Sequence, residues 1–264
     1  MILALLGLAA RLALPGMPSD SGGLKLVLNL PAYRLEALES GAVVATVRVA
    51  VGAREYPTPT GSFRVTHITW NPWWYPPDAD WARSDTITPP CPSNPMGAVK
   101  LSFGNGYFIH GTPAPRSIGR AASHGCVRTV NADANRLAEL VVARVAPESL
   151  DAARRWAGAP ETRALRLPVT VPLEIRYDLA EVRGDSLYLY PDVYRRVPAT
   201  AARERLALRA IAADGLPAEA VDRAALRRAI ARSRREPVVV NLCDLVTTTL
   251  AAEPAASHHA GARP

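Results

Sequence analysis

The sequence predicts a mainly β protein: a mixed, largely antiparallel β-sandwich or barrel with one helix packed on it, followed by a smaller α-helical C-terminal extension. Three observations predict this class. Apolar residues alternate at period two through much of the first hundred residues, and glycine- and proline-bearing turns separate those runs. By contrast, "NADANRLAELVVARV", from Asn131 to Val145, carries its apolar residues at helical spacing.

Residues 1–23 hold the apolar run "MILALLGLAARLAL" and the polar linker "MPSDSGG". The run has the length of a secretory signal but lacks a basic start and contains Arg11; it reads as an export signal or its remnant, with an ordinary buried segment as the alternative. "LKLVLNL" then sets Leu24, Leu26, Leu28 and Leu30 on one face of a strand. "AYRLEAL" follows, then a turn at Ser40-Gly41, then "VVATVRVAV", with Val43, Ala45, Val47, Val49 and Val51 on one face. These three runs predict a β-meander. A Pro-Thr-Gly turn opens the next alternating run at Phe63.

The stretch from Trp70 to Gly97 carries four of the five tryptophans and many prolines. It predicts a long loop, read as a lid over a binding cleft, the alternative being a stapled surface loop. "AVKLSF", "GNG" and "YFIHGT" predict a hairpin whose second strand ends at His110. In the helix that follows, Asn131 or Thr129 is the expected cap, Asp133 lies in the first turn, and Val130, Ala134, Leu137 and Val141 face the sheet. Alternation resumes from Leu167, with a turn at Arg183-Gly184-Asp185. Helices are expected near Thr200–Ala212 and Pro217–Ser233, the second with Pro217 in its first turn, and "EPVVVNL" adds a last strand. The tail has no periodicity and reads as disordered, its His258-His259 pair incidental. The expected divisions are 1–23, 24–175, 176–250 and 251–264.

Composition narrows the function. A 264-residue chain that is 48% hydrophobic is globular. Its net charge of +7 suits an anionic partner such as a cell-wall polymer, while the scatter of its arginines over alanine-rich helical stretches argues for a solvated face before a nucleic-acid groove. Zinc-finger spacing, a recognition helix and an aromatic RNA-binding signature are all missing, so nucleic acid is not the expected partner. Beyond the N-terminus no stretch reaches the ~18 apolar residues of a membrane span, which leaves an N-terminal anchor as the only expected membrane contact. Cys91, Cys126 and Cys243 are too few for a disulfide framework, and a Cys91–Cys243 bridge in an oxidising compartment leaves one thiol over.

That odd thiol draws attention to "YFIHGTPAPRSIGRAASHGCVR", where two of the five histidines stand near Cys126. A cysteine nucleophile needs a base or a positive neighbour, because an ordinary thiol is mostly protonated at neutral pH. His110 and His124 are the candidates. On an extended chain His124 and Cys126 point to one side, while His110 meets them only through the fold. Gly125 permits an unusual φ beside the nucleophile, and the amides of Gly125 and Cys126 are candidate oxyanion donors. Ser123 is placed to orient an imidazole through its hydroxyl or carbonyl. Arg128 is a fixed cation able to fork onto a substrate carboxylate. A zinc site from His-x-Cys and a third His, and a simple buried thiol, are the competing readings.

"IHGT" followed by "SIGRAASHGCVR" closely resembles the active-site signature of the L,D-transpeptidase (YkuD-domain) family. The likeness extends to "NLPAYRLEAL", "AVGAREYPTPTGSFRV", "WNPWWYPP", "NPMGAVKLSF" and "LYLYPDVY", roughly Leu24 to Arg195, and is to the envelope branch that joins peptidoglycan stems or attaches lipoprotein to them. The resemblance implies a catalytic domain over 24–175 with Cys126 as nucleophile, His110 as proton donor and acceptor, and His124 completing the catalytic set. Ser123, Gly125, Arg128, Gly111 and Thr112 would line the substrate, Ser123 also holding a histidine. It implies no metal or cofactor, a place in the periplasm or cell envelope, and peptidoglycan stem peptides as partners, with a second stem or a lipoprotein lysine as acceptor. Hydrolysis by the same site, as a carboxypeptidase or endopeptidase, is the alternative reaction; a non-catalytic wall-binding protein is the alternative class.

Overall fold

The computed structural model describes residues 23–246. The N-terminal apolar run and the histidine-bearing tail lie outside the described residues. The chain divides into two compact units between Arg176 and Tyr177.

The first unit opens with β1 (Leu24–Asn29), β2 (Arg34–Glu39) and β3 (Ala42–Arg48), an antiparallel meander. Leu24, Leu26, Leu28 and Leu30 are all buried, as period two requires. The run "VVATVRVAV" is not one strand with one buried face. β3 is the edge of its sheet, and Val43 and Val44 are exposed, whereas Val47, Val49 and Val51 are buried. After Arg48 the chain turns away from β2. Ala50 exchanges two backbone hydrogen bonds with Arg128, at 2.8 and 2.9 Å, and β4 (Val51–Gly52) pairs elsewhere. The valines thus end up supporting the site instead of extending the meander.

β5 (Gly61–Trp70) and β6 (Val99–Gly104) flank the tryptophan loop, and β7 (Tyr107–His110) closes the predicted hairpin. The two-residue Asn105-Gly106 turn has φ of 51° and 75°, the left-handed pair that matches strand twist. Trp70 belongs to β5; it is buried and packs against Trp156 at 5.3 Å between ring centroids. The loop proper is gathered by buried Asn94, whose side-chain amide donates toward the carbonyls of Pro72, Thr88 and Pro89 while its oxygen accepts from Met96 N–H.

β8 (Ala121–Ser123) pairs in parallel with β4, and β9 (Val127–Arg128) in parallel with β7. α1 (Asn131–Val145) follows as predicted and packs on β6 and β7 through a face that includes Ala134, Leu137, Ala138 and Val141. Neither predicted cap operates. Asn131 Oδ1 accepts from Ala98 N–H at 3.0 Å, and Thr129 Oγ1 donates to the Arg48 carbonyl at 3.0 Å. Both side chains fasten neighbouring strands, and the helix starts at Val130 without a side-chain cap.

α2 (Leu150–Ala157), a short helix the sequence pattern did not reveal, leads to β10 (Arg163–Arg176). β10 begins before the expected Leu167, and its pairing with β5 is irregular between Arg166 and Val171, where Pro168 has no N–H to give to a ladder. The sheet order is β3-β2-β1-β10-β5-β6-β7-β9, antiparallel except at β1/β10 and β7/β9. The fold is mainly β, as predicted.

The second unit is an antiparallel sheet of β11 (Ala180–Arg183), β12 (Ser186–Leu189) and a later β13 (Val238–Asn241), with α3 (Thr200–Ala213) and α4 (Arg223–Arg232). The expected Pro217–Ser233 helix is divided. A 3-10 turn spans Ala218–Ala220, and α4 starts afresh after Asp222, whose carboxylate caps the N–H groups of Ala224 and Ala225. Leu187, Leu189, Ile211, Leu226 and Ile230 form its core. All three cysteines are free thiols. No described helix is long and apolar enough to cross a membrane.

Candidate active site

The register of three strands assembles the site. β6 pairs Lys100 with His110, Leu101 with Ile109 and Ser102 with Phe108; β7 pairs Ile109 with Val127 and His110 with Arg128. Paired residues share a sheet face, and faces alternate along a strand. Leu101, Ile109 and Val127 are fully buried on the core face. Lys100, His110 and Arg128 therefore form a row on the other face. Cys126, two residues before Arg128, belongs to the same face beside Phe108.

The turn that presents Cys126 is tightly fixed. Ser123 is 1% exposed; its hydroxyl donates to the Cys126 carbonyl and accepts from Gly125 N–H at 3.1 Å, while its own carbonyl accepts from Ala53 N–H at 2.7 Å. Both of its oxygens are thus engaged within the turn and by Ala53, not by a histidine. Thr58 Oγ1 accepts from Gly52 N–H and donates to the Gly125 carbonyl, both at 2.8 Å. Gly125 itself has φ of +106°, and a Cβ there would lie 2.7 Å from Tyr107 Cε1. Its N–H is engaged by Ser123, so of the two amides expected as oxyanion donors that of Cys126 is the remaining candidate.

Gly125 does not have the extended backbone that a same-side placement of His124 and Cys126 assumes. The His124 ring stacks on Trp81 at 3.8 Å with an interplanar angle of 1°, and meets the edge of Tyr56 at 4.8 Å. Partial burial, then Arg128, lowers its pKa, against an opposing pull from Asp85. Cys126 directs its thiol at the Gly106 carbonyl, 3.9 Å away. Gly111 and Thr112 are buried: Gly111 passes so close to Asn131 that a Cβ would sit 2.0 Å from its Oδ1, and Thr112 Oγ1 accepts from Ala114 N–H. These two shape the backbone after His110.

His110 is 3% exposed, and its Nδ1 lies 2.6 Å from the Gly111 carbonyl. A carbonyl only accepts, so the neutral ring carries its proton on Nδ1 and keeps the Nε2 lone pair. Burial, then Arg128 and Lys100, lower its pKa to about 4, against the opposing carbonyls of Gly111 and Met96. Burial raises the Cys126 thiol, against the Phe108 N–H, Arg128 and Lys100. The resting pair is thus neutral imidazole and neutral thiol, not an ion pair. No hydrogen bond joins the two among the described residues.

Cys91 contrasts with Cys126. It is exposed, and the Ser93 hydroxyl at 3.2 Å, with the N–H groups of Ser93 and Asn94, lowers its pKa. Thiolate fraction and access set alkylation rates. Iodoacetamide at pH 7 is therefore expected to modify Cys91 faster than Cys126 in the free protein, by peptide mass mapping over time; faster labelling of Cys126 would contradict a neutral, shielded thiol in the resting site.

Lys100, Thr58, Tyr56 and Tyr107 were not among the predicted site residues. Lys100 carried a legible signal, since it alternates with Val99, Leu101 and Phe103 on the strand that pairs with the His110 strand. Among the described residues no group of three or more His, Cys, Asp or Glu gathers in a manner suited to a metal ion.

The sequence model of the L,D-transpeptidase catalytic domain, YkuD, matches residues 24–170, more than half of the chain. The chain belongs to that family. It is 31% identical to YkuD of Bacillus licheniformis over 130 residues, 48% of this chain and 67% of that protein. It is 32% identical to YqjB of Bacillus subtilis over 124 residues, 45% of this chain and 62% of that one. Over 55 residues it is 49% identical to YbiS of Escherichia coli K12, 21% of this chain and 18% of that one. All three bear L,D-transpeptidase names. Among solved structures, L,D-transpeptidase 3 from Mycobacterium tuberculosis aligns at 13% identity with a TM-score of 0.39, over 58% of this chain and 61% of that chain.

Proposed function

We propose that this protein is a peptidoglycan L,D-transpeptidase that works through a thioester on Cys126. The observation that carries the reading is the position of Cys126: on a turn locked by Ser123 and Thr58, beside the strand that ends in His110. A nucleophile held by backbone bonds and a base held by register stay in place without help from substrate.

In the first half-reaction the Cys126 sulfur attacks the carbonyl at the L-centre of the diamino acid in a tetrapeptide stem. His110 Nε2 takes the thiol proton as the S–C bond forms, and the Cys126 N–H donates to the developing oxyanion. The C–N bond to the terminal D-Ala then breaks, and the proton passes from His110 to the departing amine. In the second half an acceptor amine, from another stem or from a lipoprotein lysine, attacks the thioester. His110 takes the amine proton and returns it to the sulfur as the new amide forms. The missing His110–Cys126 hydrogen bond fits a free enzyme, where catalytic contacts are often long until substrate closes the site. The expected setting is the cell envelope.

Intact-protein mass spectrometry after incubation with a carbapenem tests this reading. One covalent adduct is expected on the wild type and none on Cys126→Ser. An adduct that persists in the variant, or no adduct on a folded wild type, counts against a thioester on Cys126.

A further inference from the structure

Two cations flank the nucleophile with no counter-ion among the described residues. Lys100 and Arg128 stand at the two ends of the row through His110, both half-buried, and no described carboxylate acts on either. Arg128 gives one guanidinium N–H to the Ala122 carbonyl at 3.3 Å, and its Nε is buried without an acceptor. Lys100 lays its ammonium 4.5 Å from the centroid of the Phe108 ring. It lines a cavity of about 160 Å³ with Phe108, Trp73, Trp74, Tyr75 and Met96. Withdrawing a cation from water with no anion beside it is costly, and such groups concentrate where an anionic ligand arrives.

Arg128 already has a reading as a substrate fork; Lys100 has none. We infer that the Lys100 cavity binds the terminal residue of the donor stem, the ammonium holding its free carboxylate and the aromatic walls its small side chain. This rests on the transpeptidase reading above. Position supports it, because the residue bonded to the scissile carbonyl must lie next to Cys126, and Phe108 both lines the cavity and has its N–H on the thiol. Size supports it, because a cavity of about 160 Å³ has room for a residue as small as alanine. Chemistry supports it, because apolar walls around one cation suit a methyl beside a carboxylate. A longer chain would put a neutral amide against the lysine. Lys100 thereby selects terminal bonds over internal ones, a specificity role for a residue outside the proton-transfer machinery.

The test compares two donors, a tetrapeptide stem with a free C-terminal carboxylate and the same stem as its C-terminal carboxamide, on wild type, Lys100→Met and Lys100→Arg. Methionine keeps an unbranched chain in the aromatic cavity and removes the charge. The wild type is expected to favour the acid by about tenfold or more in kcat/KM, Lys100→Met to bring the acid down to the amide's level while leaving the amide within about twofold, and Lys100→Arg to keep part of the preference. Equal use of both donors by the wild type overturns the inference, as does a Lys100→Met variant that loses both alike or keeps the preference. A folded wild type that turns over neither donor overturns the transpeptidase reading itself, and this inference with it.

Discussion

His110→Gln is expected to slow acylation of Cys126 by about 10²- to 10⁴-fold, the range in which a positioned general base acts. The size of the effect follows from the resting state: Cys126 is held as a neutral thiol by burial, so almost no thiolate exists to attack without a base. Stopped mass spectrometry of the carbapenem adduct measures the rate, and a loss of only a few-fold would show that His110 is not the base. The same variant has a second signature. The folded ring has a pKa of about 4 against an ordinary 6.5, so below pH 6.5 the unfolded chain takes up a proton that the native site refuses. The wild type should therefore lose stability as pH falls from 6.5 to 4, by about 3 kcal/mol in all if the shift is borne by this one group. Lacking the imidazole, the variant should show a shallower slope of Tm against pH over that window. Parallel slopes would contradict the depressed pKa.

Gly125→Ala is expected to cut acylation by about 10²-fold, the loss that follows a displacement of about 1 Å at a reacting atom. Two independent obstacles meet there. The backbone sits at φ +106°, which an L side chain rarely adopts, and the new methyl would stand 2.7 Å from Tyr107 Cε1. Tyr107→Ala in the same chain removes the collision and leaves the φ strain, so the double variant should recover part of the lost rate. Full activity in Gly125→Ala would mean that the turn relaxes without moving the sulfur.

Local patterns that depend on one periodicity were readable in advance. The buried leucines of β1, the Asn105-Gly106 hairpin and the whole of α1 follow from residue spacing and turn chemistry. What escaped depends on partners distant in the chain. Asn131 has the chemistry of a cap and spends its oxygen on Ala98 instead, because Gly97 and Gly111 let the backbone come that close. Ser123 has the chemistry to orient a histidine and instead ties the two sides of the Cys126 turn together. The valines at 47, 49 and 51 keep alternating while the strand breaks, since Arg128 captures Ala50. Motif recognition singled out Cys126 and His110 as the candidates. Only strand register placed Lys100 and Arg128 in a common row with the histidine.

The position of β10 has a consequence for how the protein is made. This strand lies between β1 and β5, so the sheet consists of two unjoined parts, β3-β2-β1 and β5-β6-β7-β9, until residues 163–176 are in place. The Cys126 turn and its supporting strands are synthesised before the strand that fastens them to the meander. Until β10 pairs, the chain carries that turn on an unfinished scaffold with open strand edges at β1 and β5. Pairing over so long a sequence separation is slow. A chain truncated before residue 163 would therefore carry Cys126 without a completed sheet around it, and maturation of the site is tied to the pairing of that strand.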